Sequence, residues 1–507
     1  MDCQVVHICD CFPARIRCTL AELPETLDET YEITLRGINK ANWVFAHRMF
    51  QFVSVASRPL RVEELAELLA FNFEAGSIPE YYEDWRLEHP VNAVLSTCST
   101  LLAIVNDGGS TVVQFSHLSV KEFLTSTRIA KATDTVSRYH VSMTPAHTLV
   151  AQACLGILLH LDNDVTSDSL GDFPLAGYAA EHWVDHARFG DVSGNVEDGM
   201  KQLFDPSKPH HLSICVWICD PAVSTRERRT RSKTPPPLFG TSLHCAASWG
   251  LHTVVEFLIT EHLQDVCSRD FTDNATPLHL ASRNGHVKAA HKLIDHRADL
   301  TAQDDNGWTP LHLASQEGEV DVARMLIERG ADLKAQDHKG WSPLHVASHQ
   351  GEVNVARMLI EHGADLKAQN NDGWTQLHLA LQVGEVDVAR MLIERGADLS
   401  VQDNDGWTPL HLASYWGRVD VVHMLIENGA DLEARNNDEE TPLHLASAST
   451  FRDENSPQKY VEVVNVLLKR GADVNARNNH GFIPYALAEQ DSEIMRVLAA
   501  WMPIELD

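Results

Sequence analysis

Asp304-Asp305-Asn306-Gly307-Trp308-Thr309-Pro310-Leu311-His312-Leu313-Ala314 reads as a turn that runs directly into a helix. Asn306-Gly307 is a turn dipeptide whose glycine accepts a positive φ, which suits a hairpin finger. Thr309 is a helix N-cap, and Pro310 fits the first helical turn, where a missing N–H leaves no bond unmade. Leu311 and Ala314 share one helical face, and Gly318 ends that helix. Val320, Ala323, Leu326 and Ile327 set a second apolar stripe at helical spacing, which Gly330 stops as a left-handed cap. Two short helices and a finger cannot enclose a core alone, so the stretch predicts stacking on copies of itself.

Those copies are present. Thr-Pro-Leu-His or a close variant starts at Thr241, Thr276, Thr309, Ser342, Thr375, Thr408 and Thr441, with one step of 35 residues and five of 33. The wording and period resemble the ankyrin repeat over roughly residues 237–501, which implies a mostly α fold, an ankyrin-repeat solenoid, in that half. An eighth, degenerate unit near Ile483-Pro484-Tyr485-Ala486 lacks the histidine and is expected to cap the array. Arg297 is read in place of the second unit's capping glycine and Ala275 in place of its finger glycine, so that unit is expected to be the least regular. In the seventh unit His444 to Gly471 spans 27 residues against 18 from His411 to Gly429. The nine extra residues, around 450–460, are expected to bulge as a polar loop. One histidine per repeat, inside the first helical turn, is read as a tie between repeats; a metal site needs ligands that converge.

Comparing repeats with one another locates the expected binding surface. The run Gly318–Gly330 recurs unchanged at Gly384–Gly396 and nearly so at Gly351–Gly363. Variation falls just before the inter-helix turn, at Gln316-Glu317, His349-Gln350, Gln382-Val383 and Tyr415-Trp416. It also falls at the fingertips, Asp305-Asn306, His338-Lys339, Asn371-Asp372, Asn404-Asp405 and Asp438-Glu439. The ankyrin resemblance implies that both regions line the concave groove that holds partners, and that Trp308, Trp341, Trp374 and Trp407 look onto it. Aromatic groups with a polar edge are typical anchors, so the candidate protein-binding residues are Trp308, Trp341, Trp374, Trp407, His349, Tyr415 and Trp416. The competing reading is that each tryptophan only packs against the next finger.

The chain has 507 residues, too many for one core, and a net charge of −30. From Gly240 onward 21 basic residues face 41 acidic ones, a net of −20. That balance disfavours direct nucleic-acid binding and favours a neutral or basic protein partner. Ten cysteines, all before Asn274, make no paired zinc spacing and are expected to be reduced thiols. No signal peptide and no membrane span is read, and no cofactor or metal is expected. The expected compartment is the cytoplasm, with the nucleus as alternative.

The first half reads as helices around a hairpin. Arg61–Phe71 is amphipathic, and the apolar runs Leu101–Val105 and Thr111–Phe115 flank the turn Asn106–Ser110. Helices with a two-stranded wing predict a helical, winged-helix region. Leu23–Tyr31, Arg58–Ala66 and Phe115–Phe123, then Ala146-His147, Cys154-Leu155-Gly156 and Tyr178–Trp183, resemble the segment that follows the nucleotide-binding core in fungal NACHT–ankyrin proteins, which are NOD-like receptors. The resemblance implies that His117 matches a histidine that reaches ADP phosphate, but the core itself is not in this chain. Gly194–Lys201 is a poor phosphate loop, and His182-x3-His186 lacks the glutamate of a zinc protease. The expected divisions are a remnant 1–19, a winged-helix-like region 20–140, a helical region 141–229, a proline-rich linker 230–237 and repeats 238–507.

The expected function is a non-enzymatic protein–protein scaffold in fungal NOD-like receptor type recognition or signalling. The alternatives are a truncated gene model of a NACHT signalling ATPase, and an ankyrin-type transcriptional or pathway co-regulator.

Overall fold

The computed structural model describes residues 26–86, 89, 91, 92, 94, 100–107, 109–132, 135–219, 234–238, 240–448, 457–490 and 492–502. The expected remnant 1–19, linker residues 230–233 and most of the loop expected at 450–460 lie outside them. The chain divides into two compact units, Met1–Leu238 and Phe239–Asp507.

In the first unit, strand Ser110–Phe115 lies between Leu102–Asp107 and the two-residue strand Leu60–Arg61, all antiparallel. Asp107 pairs with Ser110, so the hairpin is tighter than the turn expected at 106–110, and Gly109 takes φ +97°. The core is helical. Helices Met143–His160 and Pro174–Arg188 bury Cys154, Leu155, Ile157, Tyr178 and Trp183.

Two buried carboxylates join these layers. Glu64 and Glu67 lie on the short helix Val62–Leu68. Glu64 accepts two bonds from the Arg58 guanidinium at 2.8 and 2.9 Å, and the Arg61 N–H at 2.7 Å. Glu67 accepts the Leu175 N–H at 2.6 Å, capping the distant helix Pro174–Arg188 at an otherwise orphaned donor. Arg58 stacks over Tyr178, whose hydroxyl accepts the Ser57 N–H at 3.2 Å and bonds His186 Nε2 at 2.8 Å. His186 Nδ1 in turn meets His147 Nδ1 at 2.8 Å. The segments Arg58–Ala66 and Tyr178–Trp183, far apart in the chain, therefore belong to one polar network.

The second unit repeats one motif. First helices run Ser242–Ser248, Pro277–Arg283, Pro310–Gln316, Pro343–Gln350, Gln376–Val383, Pro409–Tyr415 and Pro442–Ala448. Second helices run His252–Thr260, Val287–Asp295, Val320–Glu328, Val353–Glu361, Val386–Glu394, Val419–Glu427 and Pro457–Lys469. Pro484–Leu487 and Glu493–Trp501 form the degenerate last pair. First helices pack on first helices and second on second, so each repeat buries its neighbour's apolar face. In the second helix of repeat three the buried residues are Val322, Ala323, Met325 and Leu326, while Val320 and Ile327 are half-buried. The buried arc is rotated from the stripe read in the sequence because the helix packs sideways on two neighbours.

Each histidine ties two repeats. His312 Nδ1 accepts the Thr309 N–H at 3.1 Å, and its Nε2–H donates to the Trp341 carbonyl of the next repeat at 3.0 Å. The same pair of bonds recurs from His244 to His444, with the inter-repeat bond at 3.0 to 3.2 Å. An Nδ1 that accepts and an Nε2 that donates describe a neutral imidazole. Burial pushes His345, His378 and His411 down to about 4.

Three local expectations need correction. Ala275 stands where the tryptophans stand; the finger glycine of repeat two is replaced by Asn274, which takes φ +59°, and Arg297 takes φ +68° at the cap. In repeat seven the tip matching Asn404-Asp405 is Asn437-Asp438, and Glu439 occupies the glycine place at φ +56°. The extra residues of that repeat are not all loop: 457–460 add a turn to the front of the second helix, and Tyr460 is buried because its apolar ring enters the stack.

Candidate protein-binding surface

From Asp304 onward each finger is closed by one buried or half-buried side chain. Asp304 Oδ1 accepts the Asn306 and Trp308 N–H groups at 2.8 and 2.9 Å, and Gly307 turns the chain at φ +81°. Asp337, Asn370, Asp403, Asn436 and Asn478 do the same in later fingers. Tips are also tied sideways: Asn371, Asn404 and Asn437 each donate their amide N–H to a carbonyl of the preceding tip, at 2.9 to 3.1 Å. Part of the variable tip therefore serves to hold fingers together.

This frame fixes the tryptophans. Trp308, Trp341, Trp374 and Trp407 are all half-buried. The Trp308 indole N–H donates to Asp337 Oδ2 of the next finger at 2.9 Å, and the Trp374 side chain bonds Asp403. Packing against the next finger thus accounts for these two. The other two meet the end of their own first helix, eight residues on. Trp341 lies 5.0 Å from His349 between ring centroids, and Trp407 lies 4.9 Å from Tyr415 at 70°. Tyr415 then meets Trp416 at 5.1 Å and 87°. In repeats three and five the matching residues are Gln316 and Gln382, so that place carries no ring there.

The tryptophan row and the variable residues before the inter-helix turn therefore share one surface, most fully in repeat six. Trp416 is 39% exposed, and Val383, at the same place one repeat earlier, is also 39% exposed. His349 is half-buried, its Nδ1 has no hydrogen-bond partner, and burial lowers its pKa. The tryptophan row has two further members whose residue type does not mark them. Glu440 and Phe482 occupy that place in units seven and eight, and Phe482 is half exposed. The signal was the register alone.

The other sequence candidates resolve as structure. His117 caps the helix Leu118–Thr125, accepting the Ser119 N–H at 3.2 Å. Gly194–Lys201 falls within two short helices, with Lys201 paired to Glu197 at 3.0 Å. His186 is held down to about 3 by burial, then by His147 and His182, and is engaged by Tyr178 and His147. Among the described residues no cluster of three or more His, Cys, Asp or Glu could hold a metal ion, and no helix is long and apolar enough to cross a membrane. Cys154, Cys219, Cys245 and Cys267 are free thiols, and burial pushes Cys245 up to about 12.

Residues 243–337, 330–403 and 396–478 each match the family model described as ankyrin repeats. A curated relative is the azaphilone pigments biosynthesis cluster protein L of Monascus ruber, 28% identical over 297 residues, covering 55% of this chain. This chain spans about three fifths, 61%, of that relative. Among solved structures, the ankyrin repeat domain of Bcl-3, a unique member of the IkappaB protein family, is 30% identical with a TM-score of 0.40, covering 45% of this chain and 99% of that one. The human ASB11 ankyrin repeat domain is 28% identical with a TM-score of 0.40, covering 46% of this chain and 98% of that one. Ankyrin repeats are a non-catalytic fold that points to protein–protein interaction. The C-terminal half of this chain, over residues 243–478, is an array of ankyrin repeats.

Proposed function

We propose that this chain is a non-enzymatic scaffold that captures a protein partner on the surface shared by its fingers and the ends of its first helices, in repeats three to six. The observation that carries the reading is the convergence of Trp407, Tyr415 and Trp416 beside second helices that barely change from repeat to repeat. Large aromatic groups, partly exposed on a rigid frame, are the usual anchors of interfaces because they bury much area at little entropic cost. Trp341 with His349 extends the surface toward repeat four. The excess of acid in the repeats supports a neutral or basic protein partner in preference to nucleic acid.

The first unit is, on this reading, a winged-helix-like and helical part of a NACHT–ankyrin protein, and the setting is recognition or signalling in the cytoplasm. Support comes from the segments that carry the resemblance, and from the network of Glu64, Arg58 and Tyr178 that joins two of them. The test is affinity capture with the full chain as bait, in parallel with a Trp407→Ala/Trp416→Ala variant. A partner retained by the first and lost by the second supports the reading; equal retention contradicts it. Measurable ATP turnover by the purified chain would contradict its non-enzymatic part.

A further inference from the structure

We propose that the corner formed by Trp407, Tyr415, Trp416 and Glu440 receives the ammonium or guanidinium head of a basic side chain, carried on an extended segment of the partner. The inference rests on the partner-binding reading above and names the chemistry of the partner.

Ring geometry is the first ground. Trp407 and Tyr415 meet at 70° across 4.9 Å, and Tyr415 and Trp416 at 87° across 5.1 Å, so the three rings follow one another edge to face, each steeply inclined to the next. Aromatic faces carry negative potential, and a cation set against more than one of them gains from each.

Register supplies the second ground. The residue before the Thr-Pro-Leu-His word is tryptophan in repeats three to six and Glu440 in repeat seven. Its carbonyl accepts the His411 Nε2–H at 3.0 Å, as the tryptophan carbonyls do in earlier repeats, so Glu440 continues the row one repeat after Trp407. Its carboxylate accepts one bond, from the Asn436 amide at 3.3 Å, and forms no ion pair among the described residues. The neighbouring Arg435 is taken by Glu439 and by the Arg477 carbonyl. Asp405 and Asp438 add negative charge at the adjacent tips.

These grounds choose between occupants. An apolar side chain laid over Trp407 would strip water from Glu440 without replacing it, leaving an uncompensated charge. A lysine or arginine covers the rings with its stem and pairs its head with the carboxylate. Val383, exposed one repeat earlier, offers apolar contact to the next residues of the same segment.

The probe is a display library of random peptides about 12 residues long, selected on the full chain. Enriched peptides are resynthesised with each basic residue replaced by norleucine, which keeps the stem and removes the charge. The expected result is enrichment of basic peptides in which one such replacement weakens binding about tenfold or more, a step of about 1.4 kcal/mol. Glu440→Gln should weaken the parent peptide comparably and leave the norleucine peptide unaffected, with the melting temperature unchanged. Peptides that need Trp407 and Trp416 but bind equally as norleucine versions overturn the cation proposal and leave the aromatic surface standing. An absence of enriched peptides, or peptides indifferent to both tryptophans, overturns the proposal and the surface reading together.

Discussion

The indole of Trp407 lies 4.9 Å from the phenol of Tyr415, at 70°, although one belongs to a finger and the other to the far end of the first helix. Eight residues separate them, about two helical turns beyond the cap, which returns the chain to the same face. The relationship links the repeated tryptophan row to a region that the sequence shows as variable and makes them one surface.

The tryptophan row should divide by function. Trp308→Phe removes the N–H donated to Asp337 and should cost about 1 kcal/mol of stability, without changing affinity for the partner. Trp416→Ala should do the reverse, since Trp416 is 39% exposed and ends its helix. Urea denaturation paired with binding titration of both variants checks this split; a stability loss in Trp416→Ala with unchanged affinity would contradict it.

Two departures from the repeat pattern predict gains in stability. Gln376 stands where repeats two to four, six and seven carry proline; it is buried, its Oε1 has no partner, and its Nε2–H donates to the Asp365 carbonyl at 3.2 Å. Gln376→Pro removes that orphaned acceptor and pre-sets the helix start, which outweighs the lost bond to Asp365, so it should stabilise by about 0.5 kcal/mol. Glu439 holds φ +56°, and Glu439→Gly should also gain about 1 kcal/mol, reduced a little because the exposed ion pair between Glu439 and Arg435 goes with the side chain. Thermal melts of each variant read the effect; lowered melting temperatures would contradict it.

Acid should loosen the array. His345, His378 and His411 are held at about 4 against an ordinary 6.5, by burial first. A depressed histidine contributes its full share of stability above about pH 6.5, where both states are neutral. That share is lost as pH falls toward about 4, because the unfolded chain takes up protons that the folded chain refuses. The unfolding free energy of the second unit should therefore fall by more than about 1.4 kcal/mol per pH unit between about pH 6 and 4.5. Chemical denaturation across that range measures the slope, and a flat profile would contradict the neutral ladder.

In the first unit the network should behave as a single element. Glu64→Ala leaves the Arg58 guanidinium and the Arg61 N–H without their buried acceptor, and should destabilise that unit by about 3 kcal/mol or more. Denaturation followed at the first unit's transition is the measurement, and an unmoved midpoint would show that water replaces the carboxylate at no cost.

Much of the second unit was legible in the sequence because its rules are local. Thr309, Pro310, Gly318 and Gly330 each act within a turn of their own position, and repetition confirms each reading from the next copy. Legibility failed where a residue took a role against its type, as Asn274 and Glu439 do in the left-handed region. It failed again where the stack decides burial: Tyr460 and the rotated face of Val322 and Met325 depend on neighbours, and helical period alone cannot supply them. The candidate site was half legible. Register gave the tryptophans and their variable companions, but the contact of Trp341 with His349, and the diversion of Trp308 and Trp374 into the next finger, are three-dimensional facts. The network from Glu64 to His186 was invisible because its partners lie more than a hundred residues apart and share no period.

The most direct test of the account is the affinity of the captured partner for the full chain and for its Trp407→Ala/Trp416→Ala variant, measured by titration beside a thermal melt. A loss of about 2 kcal/mol or more, roughly 30-fold in Kd, with the melting temperature unchanged, is the predicted result. An unchanged Kd would contradict the claim that this surface holds the partner.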